Sequence, residues 1–251
     1  MGLLPKFIDD AAGPPAQAVG NTLSNLWELG IGSHISLWIK KQQVRQQQNL
    51  KDYIKKVEEK TQSIPEENVI DPELHIVGPA IEASKYYIES EELRNMFANL
   101  IASSIDSRVS DETHPSFVEI IKQLSPLDAN MLINFKNTNQ HPIVQVRIQG
   151  ENGNYIIHQE HLMNFESNSN YKVYVASLSN LERLGLVQIN YSARSYEVTD
   201  YEFVNSHPAY QESQKYLLEL KNKKYDFDRI EIHKGLISLT PLSTNFIKVC
   251  L

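Results

Sequence analysis

Apolar residues along the chain follow one spacing in the first half and another in the second. Up to about residue 135 they recur at steps of three and four, which is the spacing of a helix face packed against a neighbour. From residue 143 they alternate with polar residues and include many β-branched side chains, as strands do. The pattern predicts an α+β protein, with an all-helical part over residues 1–124 and a mixed α/β part over residues 125–251.

The first predicted helix carries an apolar stripe along one face, and we take this stripe as a candidate interaction surface. Its residues are Leu23, Trp27, Ile31, Ile35 and Trp38. The opposite face is small and mostly uncharged, whereas a helix that lies on a membrane normally carries Lys and Arg there. We therefore expect the stripe to be buried, either in its own domain or against a second copy, with release into a membrane as the alternative. Gly30 and Gly32 weaken the middle of the helix.

The rest of the helical half is marked out by residues that start helices. A polar helix is predicted over residues 40–60, with a short apolar seam that rests on a neighbouring helix. Because proline fits the first helical turn, Gly78-Pro79 predicts a helix start. Ser90 is predicted to cap the next helix, since it precedes two acidic residues and an apolar stripe. Ser125-Pro126 begins a further helix, directly after the predicted domain boundary.

The second half is predicted to alternate strands and helices. Strands are expected over 143–148 and 155–158, a helix over 175–184, two strands at 186–189 and 196–198, a helical insertion at about 206–228, a hairpin over 230–239 that turns at Lys234-Gly235, and a last helix from Thr240. Gly185 would let the chain leave its helix in a left-handed cap and enter the next strand directly. A helix followed directly by a hairpin is the order of a winged helix, so this half is predicted to be winged-helix-like.

A winged helix that binds DNA contacts phosphates through basic residues on this helix and hairpin. Here Arg183 is offset by Glu182, and Arg194 is accompanied by several acidic residues. Residues 121–251 hold 13 basic and 13 acidic side chains, so they offer no basic surface. Contact with nucleic acid through Arg183 and Arg194 is therefore an alternative, and a protein-docking role is favoured.

Net charge, cysteine content and the absence of targeting signals indicate the compartment in which the protein is found. The net charge of −7 lies in residues 1–120, which hold 11 basic and 18 acidic residues. The single cysteine, Cys250, has no partner for an intramolecular disulfide, which favours a reducing compartment. The sequence shows no recognisable signal peptide, and no window holds the roughly 18 apolar residues of a membrane span. We expect a cytoplasmic protein.

Candidate catalytic and metal-binding residues are few. His158 and His161 flank a carboxylate, but no third ligand follows at a site-like spacing, so no metal is expected. Arg108, followed six positions later by His114, fits the loose arginine-to-histidine spacing of HEPN ribonucleases, where the pair would position and protonate a phosphodiester. Pro115 directly after His114 favours a helix start instead. Because no phosphate-binding loop or nucleophile elbow is present, we expect a non-enzymatic protein without cofactors.

Six short motifs along the chain occur in the order in which one protein family has them. They are residues 64–68, 92–100, 114–117, 124–128 and 181–186, and residues 239–241 with Phe246 and Cys250. Together they resemble the Abi-alpha (abortive infection alpha) family of bacterial proteins, over most of the chain from about residue 21. The resemblance implies defence against phage, in which an infected cell is stopped or killed, and it assigns no catalytic residues.

From this resemblance and the composition we expect a bacterial antiphage protein that acts through protein–protein contacts. Self-association into a homo-oligomer through the helical half is expected, with the winged-helix-like half as a sensor or docking module. The alternatives are an HEPN-like ribonuclease toxin, a winged-helix DNA-binding regulator, and a membrane-acting effector that uses the N-terminal amphipathic helix.

Overall fold

The computed structural model describes residues 4–32, 44–135, 138–165, 170–195 and 197–251. Helices dominate up to Asn134 and an antiparallel sheet follows, so the predicted α+β class is confirmed. The chain divides into two compact units. The helical unit comprises Met1–Ile133 and Thr244–Leu251, and the sheet unit comprises Asn134–Ser243. The predicted division into domains at residues 1–124 and 125–251 stays a prediction.

The helical half is built from helices whose starts are set by local capping. They are α1 (Pro14–Trp27), α2 (Val44–Gln62), α3 (Leu74–Ser84), α4 (Glu91–Ser103), α5 (Ser116–Gln123) and α6 (Pro126–Asn134). Ser90 Oγ accepts from the Leu93 N–H at 3.3 Å, as its position before two acids predicted. Ser125 and Asp128 cap α6 reciprocally, because each backbone N–H donates to the other side chain, at 2.7 and 3.1 Å. Both predicted helix starts are confirmed.

The described part of the N-terminal stripe lies in the core of the helical unit. Leu23, Trp27 and Ile31 are at most 1% exposed. Trp27 stacks on Tyr53 of α2, with 5.5 Å between ring centroids, and meets Phe7 in an edge-to-face contact at 5.9 Å. The remaining stripe residues, Ile35 and Trp38, lie outside the described residues.

The chain leaves α1 through a short stretch of π-helix, Glu28–Gly32. Gly30 lies close against α3 here, since an added Cβ would stand 3.1 Å from Ile81 Cγ2 and 3.4 Å from main-chain atoms of Glu82. A larger side chain would therefore push α3 away. The glycine that weakens the predicted helix is the residue that allows this close approach.

The predicted helix start at Gly78-Pro79 is wrong, because Pro79 lies inside α3. Proline at an interior position removes one main-chain hydrogen bond and usually breaks a helix. Apolar neighbours on both sides of it are at most 1% exposed, and their burial offsets that loss. These neighbours are Ile76, Val77, Ala80 and Ile81.

The described part of the sheet unit combines one antiparallel sheet with two helices and a 3₁₀ segment. Its elements are β1 (Gln140–Gln149), β2 (Tyr155–Leu162), α7 (Tyr171–Arg183), β3 (Val187–Asn190), a 3₁₀ segment (Val198–Ser206), α8 (Pro208–Asn222) and β4 (Arg229–Leu239). The strands of the described residues lie in the order β2-β1-β4-β3. The central strands are β1 and β4, and the edge strands are β2 and β3.

Two predictions for the sheet unit are wrong. Residues 230–239 form no hairpin, because β4 runs straight through Lys234-Gly235 and pairs with β1 and β3. Gly235 is needed for close packing instead of a turn, since a Cβ there would stand 2.7 Å from the Tyr191 ring and 3.0 Å from the Asn190 carbonyl. The second strand expected at 196–198 is also absent from the described residues there, since a 3₁₀ segment begins at Val198.

The last helix, α9 (Pro241–Cys250), begins in the sheet unit and ends in the helical unit. Thr240 caps it, because its Oγ1 accepts from the Ser243 N–H at 3.2 Å, which confirms the predicted start. In the helical unit, Phe246 packs edge-on against Phe117 of α5, with 5.2 Å between ring centroids. Both rings are fully buried.

The C-terminal end of α9 is held by side chains of α4. Asn99 Nδ2 donates to the Cys250 carbonyl at 2.9 Å, and Ser103 Oγ donates to the Val249 carbonyl at 3.0 Å. Carbonyl groups at a helix end have no partner within the helix, so these two bonds satisfy them. The Cys250 thiol is fully buried, and burial raises its pKa well above the usual value. This thiol is therefore poorly reactive.

Candidate functional site

The outer side of β2 is the candidate interaction surface of the sheet unit. Among the described strands, only β1 pairs with β2, so the opposite side of β2 faces outward. Tyr155 and Ile157 are each 48% exposed on this strand. An edge strand of this kind presents unpaired main-chain groups that can pair with another chain. We call residues 155–160 the β2 edge.

The backbone of the β2 edge points outward at alternate residues. The turn before it closes with a hydrogen bond from the Gly150 N–H to the Asn154 carbonyl at 2.9 Å. Bonded and non-bonded pairs alternate along an antiparallel ladder, so Ile156 directs its main-chain groups to β1. Tyr155 and Ile157 consequently direct theirs away from the sheet. The Gln149 carbonyl supports this phase, since it accepts from the Asp228 N–H on the β4 side.

The regular edge ends shortly after Ile157. The β1–β2 register shifts on both sides of Val146, so β2 contains an irregularity opposite it. His161 follows with a φ of +56°, in the left-handed region that favours glycine, and its N–H donates to the Tyr191 hydroxyl at 3.1 Å. The stretch whose main-chain groups point away from β1 at alternate residues is therefore short and centred on Ile156.

The helices α7 and α8 pack behind β2 and hold its side chains in place. Tyr171 of α7 donates its hydroxyl hydrogen to Glu212 Oε2 at 3.0 Å, with Gln159 Oε1 as a second acceptor at 3.2 Å. Burial, together with the Glu212 carboxylate, raises the pKa of Tyr171. The hydroxyl therefore stays protonated as a donor near neutral pH. It joins β2, α7 and α8 at one point.

His158 and Ser213 form a hydrogen-bonded pair behind the edge, with 2.8 Å between Nδ1 and Oγ. Ser213 lies in α8, is fully buried and donates to the Ala209 carbonyl at 2.8 Å. The single hydroxyl hydrogen is thus engaged, so the His158 imidazole must donate to Ser213. Because Ser213 is also fully buried, its hydroxyl holds α8 and β2 together inside the sheet unit and does not face solvent.

Burial keeps the imidazoles behind the edge uncharged. It lowers the pKa of His158, whose ring stacks on Tyr216 at 4.6 Å. Burial also lowers the pKa of His207, which caps α8 because its Nδ1 accepts from the Ala209 N–H at 3.1 Å. A neutral ring can be buried and hydrogen-bonded without the cost of a buried charge. The helices behind β2 therefore form a support for the strand.

The pair predicted for ribonuclease chemistry is engaged within its own segment. The Arg108 guanidinium binds the Asp106 carboxylate, with Nη2 to Oδ2 at 2.5 Å and Nε to Oδ1 at 2.8 Å. Hydrogen bonds from Arg108 lower the pKa of Asp106. His114 Nδ1 accepts from the Ser116 N–H at 3.1 Å, beside the first turn of α5. Each side chain therefore has a local structural partner.

We expect Arg108→Ala combined with His114→Ala to leave phage protection unchanged, because Arg108 is paired with Asp106 and His114 is bonded to the Ser116 N–H. The double variant should remain folded, since Arg108 is half-exposed and its ion pair with Asp106 contributes about 0–1 kcal/mol. Phage plating on cells that express it is the measurement. Loss of protection by a protein with wild-type melting temperature and yield would favour the ribonuclease alternative.

Arg183 and Arg194, the two arginines considered for contact with DNA, lie at the end of α7 and in the segment after β3. Arg183 Nη2 donates to Asn180 Oδ1 at 2.7 Å within α7, and Arg194 is exposed. Glu182, the acid next to Arg183, accepts from the Ile189 N–H at 3.2 Å and so ties α7 to β3. A contact with nucleic acid through these residues stays a prediction.

Metal-binding clusters and membrane-spanning helices are both absent from the described ranges 4–32, 44–135, 138–165, 170–195 and 197–251. None of the His, Cys, Asp and Glu side chains in those ranges form a group of three or more that could hold a metal ion. Every helix within the same ranges is too short or too polar to span a lipid bilayer.

Sequence reasoning placed a strand at 155–158 but missed its role as an exposed edge. The available signal was a neutral stretch, Tyr155-Ile156-Ile157-His158-Gln159, directly after a Gly- and Asn-rich turn. Leu23, Trp27 and Ile31 of the N-terminal stripe are buried inside the helical unit, which is one of the two places expected for them. The exposed apolar side chains of β2 are therefore the better candidates for contact with a partner.

Two of the six sequence motifs, at 181–186 and 239–241, are hydrogen-bonded to each other. In the sheet unit, Gly185 adopts a φ of +72° after α7, and its carbonyl accepts from Thr240 Oγ1 at 2.6 Å. The Leu186 carbonyl accepts from the Thr240 N–H at 3.2 Å. The motifs at 181–186 and 239–241 thus meet in one joint between α7, β3 and the start of α9.

Comparison with known proteins places these motifs in one family. The family model described as abortive infection alpha matches residues 45–250 of this chain, which confirms the resemblance drawn from the motifs. No curated protein and no solved structure matches the chain.

Proposed function

The chain belongs to the abortive infection alpha family, and from this premise we propose that it restricts phage growth through protein contacts and without catalysis. The membership supports the antiphage role. Arg108, His114 and Ser213 each form hydrogen bonds with nearby residues of their own segment, which supports a role without catalysis. The observation that carries the proposal is the exposed β2 edge, where Tyr155 and Ile157 are each 48% exposed beside outward main-chain groups.

The sheet unit is proposed as a winged-helix-like docking module. Its α7 passes through Gly185 into β3, and the 13 basic and 13 acidic residues of the second half do not favour a phosphate backbone. A protein strand placed against the β2 edge needs main-chain donors and acceptors, which this edge supplies. We propose that the edge carries the contact and that α7 and α8 support it from behind.

Burial within the helical unit supports packing of the N-terminal helix over release into a membrane. Trp27 makes two aromatic contacts, with Phe7 and Tyr53, that would be lost on release. Exposing the buried part of the stripe would cost on the order of 1.5–3 kcal/mol for each large apolar side chain. The cytoplasm is the proposed location.

Expression of the wild-type chain should lower the plating efficiency of at least one phage in a broad panel, and Ile157→Lys should abolish this protection. A Lys on the β2 edge places a charge where a partner strand would pack, and edge charges oppose strand pairing. Plaque counts and survival of the infected host are the measurements. Equal plaque counts with and without the wild-type chain, across the panel, would contradict the antiphage role.

The matched control is Gln188→Lys, which places the same charge on an exposed residue of the opposite edge strand, β3. This variant should protect as well as the wild type. Both variants should change stability by no more than about 0.5 kcal/mol, since both positions are on the surface. If Ile157→Lys protected fully while its fold was intact, the β2 edge would not be the contact.

A further inference from the structure

We propose that the partner of the β2 edge is a second copy of this chain, paired strand to strand about a two-fold axis at Ile156. The inference rests on the proposed function, since it names the partner of the surface assigned there. In this arrangement two β2 strands run antiparallel, and two four-stranded sheets join into one continuous sheet.

The directions of the main-chain groups select the register. A two-fold axis perpendicular to a sheet requires one residue to lie opposite its own copy. With Ile156 at the axis, Tyr155 of each copy lies opposite Ile157 of the other. These are the two residues whose N–H and C=O groups point away from β1. Each such pair exchanges two hydrogen bonds, so the axis completes two bonded pairs at once.

Neighbouring registers satisfy fewer groups. With Ile157 at the axis, Tyr155 would lie opposite Gln159, which is next to the irregularity of β2 opposite Val146. With His158 at the axis, Tyr155 would lie opposite His161, whose N–H already donates to the Tyr191 hydroxyl. The register centred on Ile156 is therefore the one that uses the outward groups of both copies.

The side chains of this register are complementary to themselves. Tyr155 and Ile157, the two large apolar side chains that β2 exposes, would cover each other twice across the axis. Aromatic and β-branched residues directly opposite each other form favourable cross-strand pairs. The Arg147 guanidinium carbon, Cζ, lies 4.3 Å from the centroid of the Tyr155 ring and supports that ring from within the same sheet.

Charge does not oppose the pairing. Residues 155–159 carry no acidic or basic side chain, apart from the imidazole of His158, whose pKa is lowered by burial. Glu160 would lie opposite Asn152 of the second copy, so the two glutamates stand at opposite ends of the pairing. The residues that commonly protect an edge strand, Lys and Pro, do not occur between 155 and 162.

Cysteine cross-linking tests the register with purified full-length protein. Ile156→Cys should form a disulfide-linked dimer under mild oxidation, because residues opposite each other at a non-bonded pair have Cα atoms about 4.5 Å apart. Tyr155→Cys should not cross-link to its own copy, since two residues of offset separate those Cα atoms by about 8 Å. Native Cys250 is buried and does not interfere. A mixture of Tyr155→Cys and Ile157→Cys proteins should form the mixed disulfide.

Light scattering after size exclusion gives the oligomeric state. The wild type and Gln188→Lys should be dimers, and Ile157→Lys should be a monomer with an unchanged circular dichroism spectrum. A monomeric wild type over the accessible concentrations would overturn the proposal, as would cross-linking by Tyr155→Cys in place of Ile156→Cys. A dimer that survives Ile157→Lys would also overturn it.

These outcomes are separable from the proposed function. If the wild type were monomeric while Ile157→Lys lost phage protection, the edge would bind another protein, so the function would stand and the second copy would not. If Ile157→Lys were monomeric and still protected fully, the pairing would stand and its part in defence would not.

Discussion

Trp27→Asp is expected to unfold the helical unit. Trp27 is fully buried and packs between Phe7 and Tyr53, so removal of its ring costs about 3–5 kcal/mol. An aspartate in the same place adds the cost of a buried carboxylate without a partner. Together these losses approach the 5–15 kcal/mol by which a typical domain is stable. The variant should show little cooperative unfolding by circular dichroism in a thermal scan.

Leu29→Asp is the matched control, because it introduces the same charge two residues along the chain, at a side chain that is 76% exposed. Its effect should stay within about 0.5 kcal/mol. Trp27→Phe should lie between the two, since it keeps an aromatic ring. A Trp27→Asp protein that melts like the wild type, together with a wild type that floats with liposomes, would contradict packing and favour a membrane effector.

Local sequence signals predicted the helix starts well because the partners of a helix cap are close in sequence. Ser90 and Leu93 are three residues apart, as are Ser125 and Asp128. Gly185 also has its left-handed cap as predicted, since it ends α7 with a φ of +72°. Features of this kind depend on a few consecutive residues and so can be read from a single sequence.

Pairing between distant segments could not be predicted in the same way. The sequence predicts a turn at Gly235, whereas this residue lies in the middle of β4, where a side chain would collide with the Tyr191 ring. Glycine is required at this position because of Tyr191, which lies more than forty positions earlier in the chain. The sequence predicts a helix start at Pro79 for a similar reason, since only the buried neighbours on α3 show why the helix continues through it.

The candidate surface required the strand order. The sequence predicts a strand around Tyr155 and Ile157, and its neutral composition alone would also suit a central strand. The position at the edge is fixed by β4, which returns after α8 to pair with the other side of β1. The exposure of Tyr155 and Ile157 follows from that return.

The second large effect on stability is expected from a substitution in α9, the last helix. Phe246→Ala should destabilise the helical unit by about 3–5 kcal/mol, because its fully buried ring meets Phe117 edge-on at 5.2 Å. Urea unfolding followed by tryptophan fluorescence is the measurement, since Trp27 is buried in the core of the helical unit and reports on its unfolding. The urea midpoint should fall while the dependence of stability on urea stays the same.

Asn245→Ala is the control for helix propensity, since Asn245 is the exposed neighbour of Phe246 in α9. It should leave the urea midpoint almost unchanged, because alanine favours the helix and no core contact is lost. An unchanged midpoint in Phe246→Ala would show that α9 does not complete the core of the helical unit. The expected difference between these adjacent residues arises because burial, and not position in the sequence, determines what each contributes: one side chain fills the space beside Phe117, and the other lies in water.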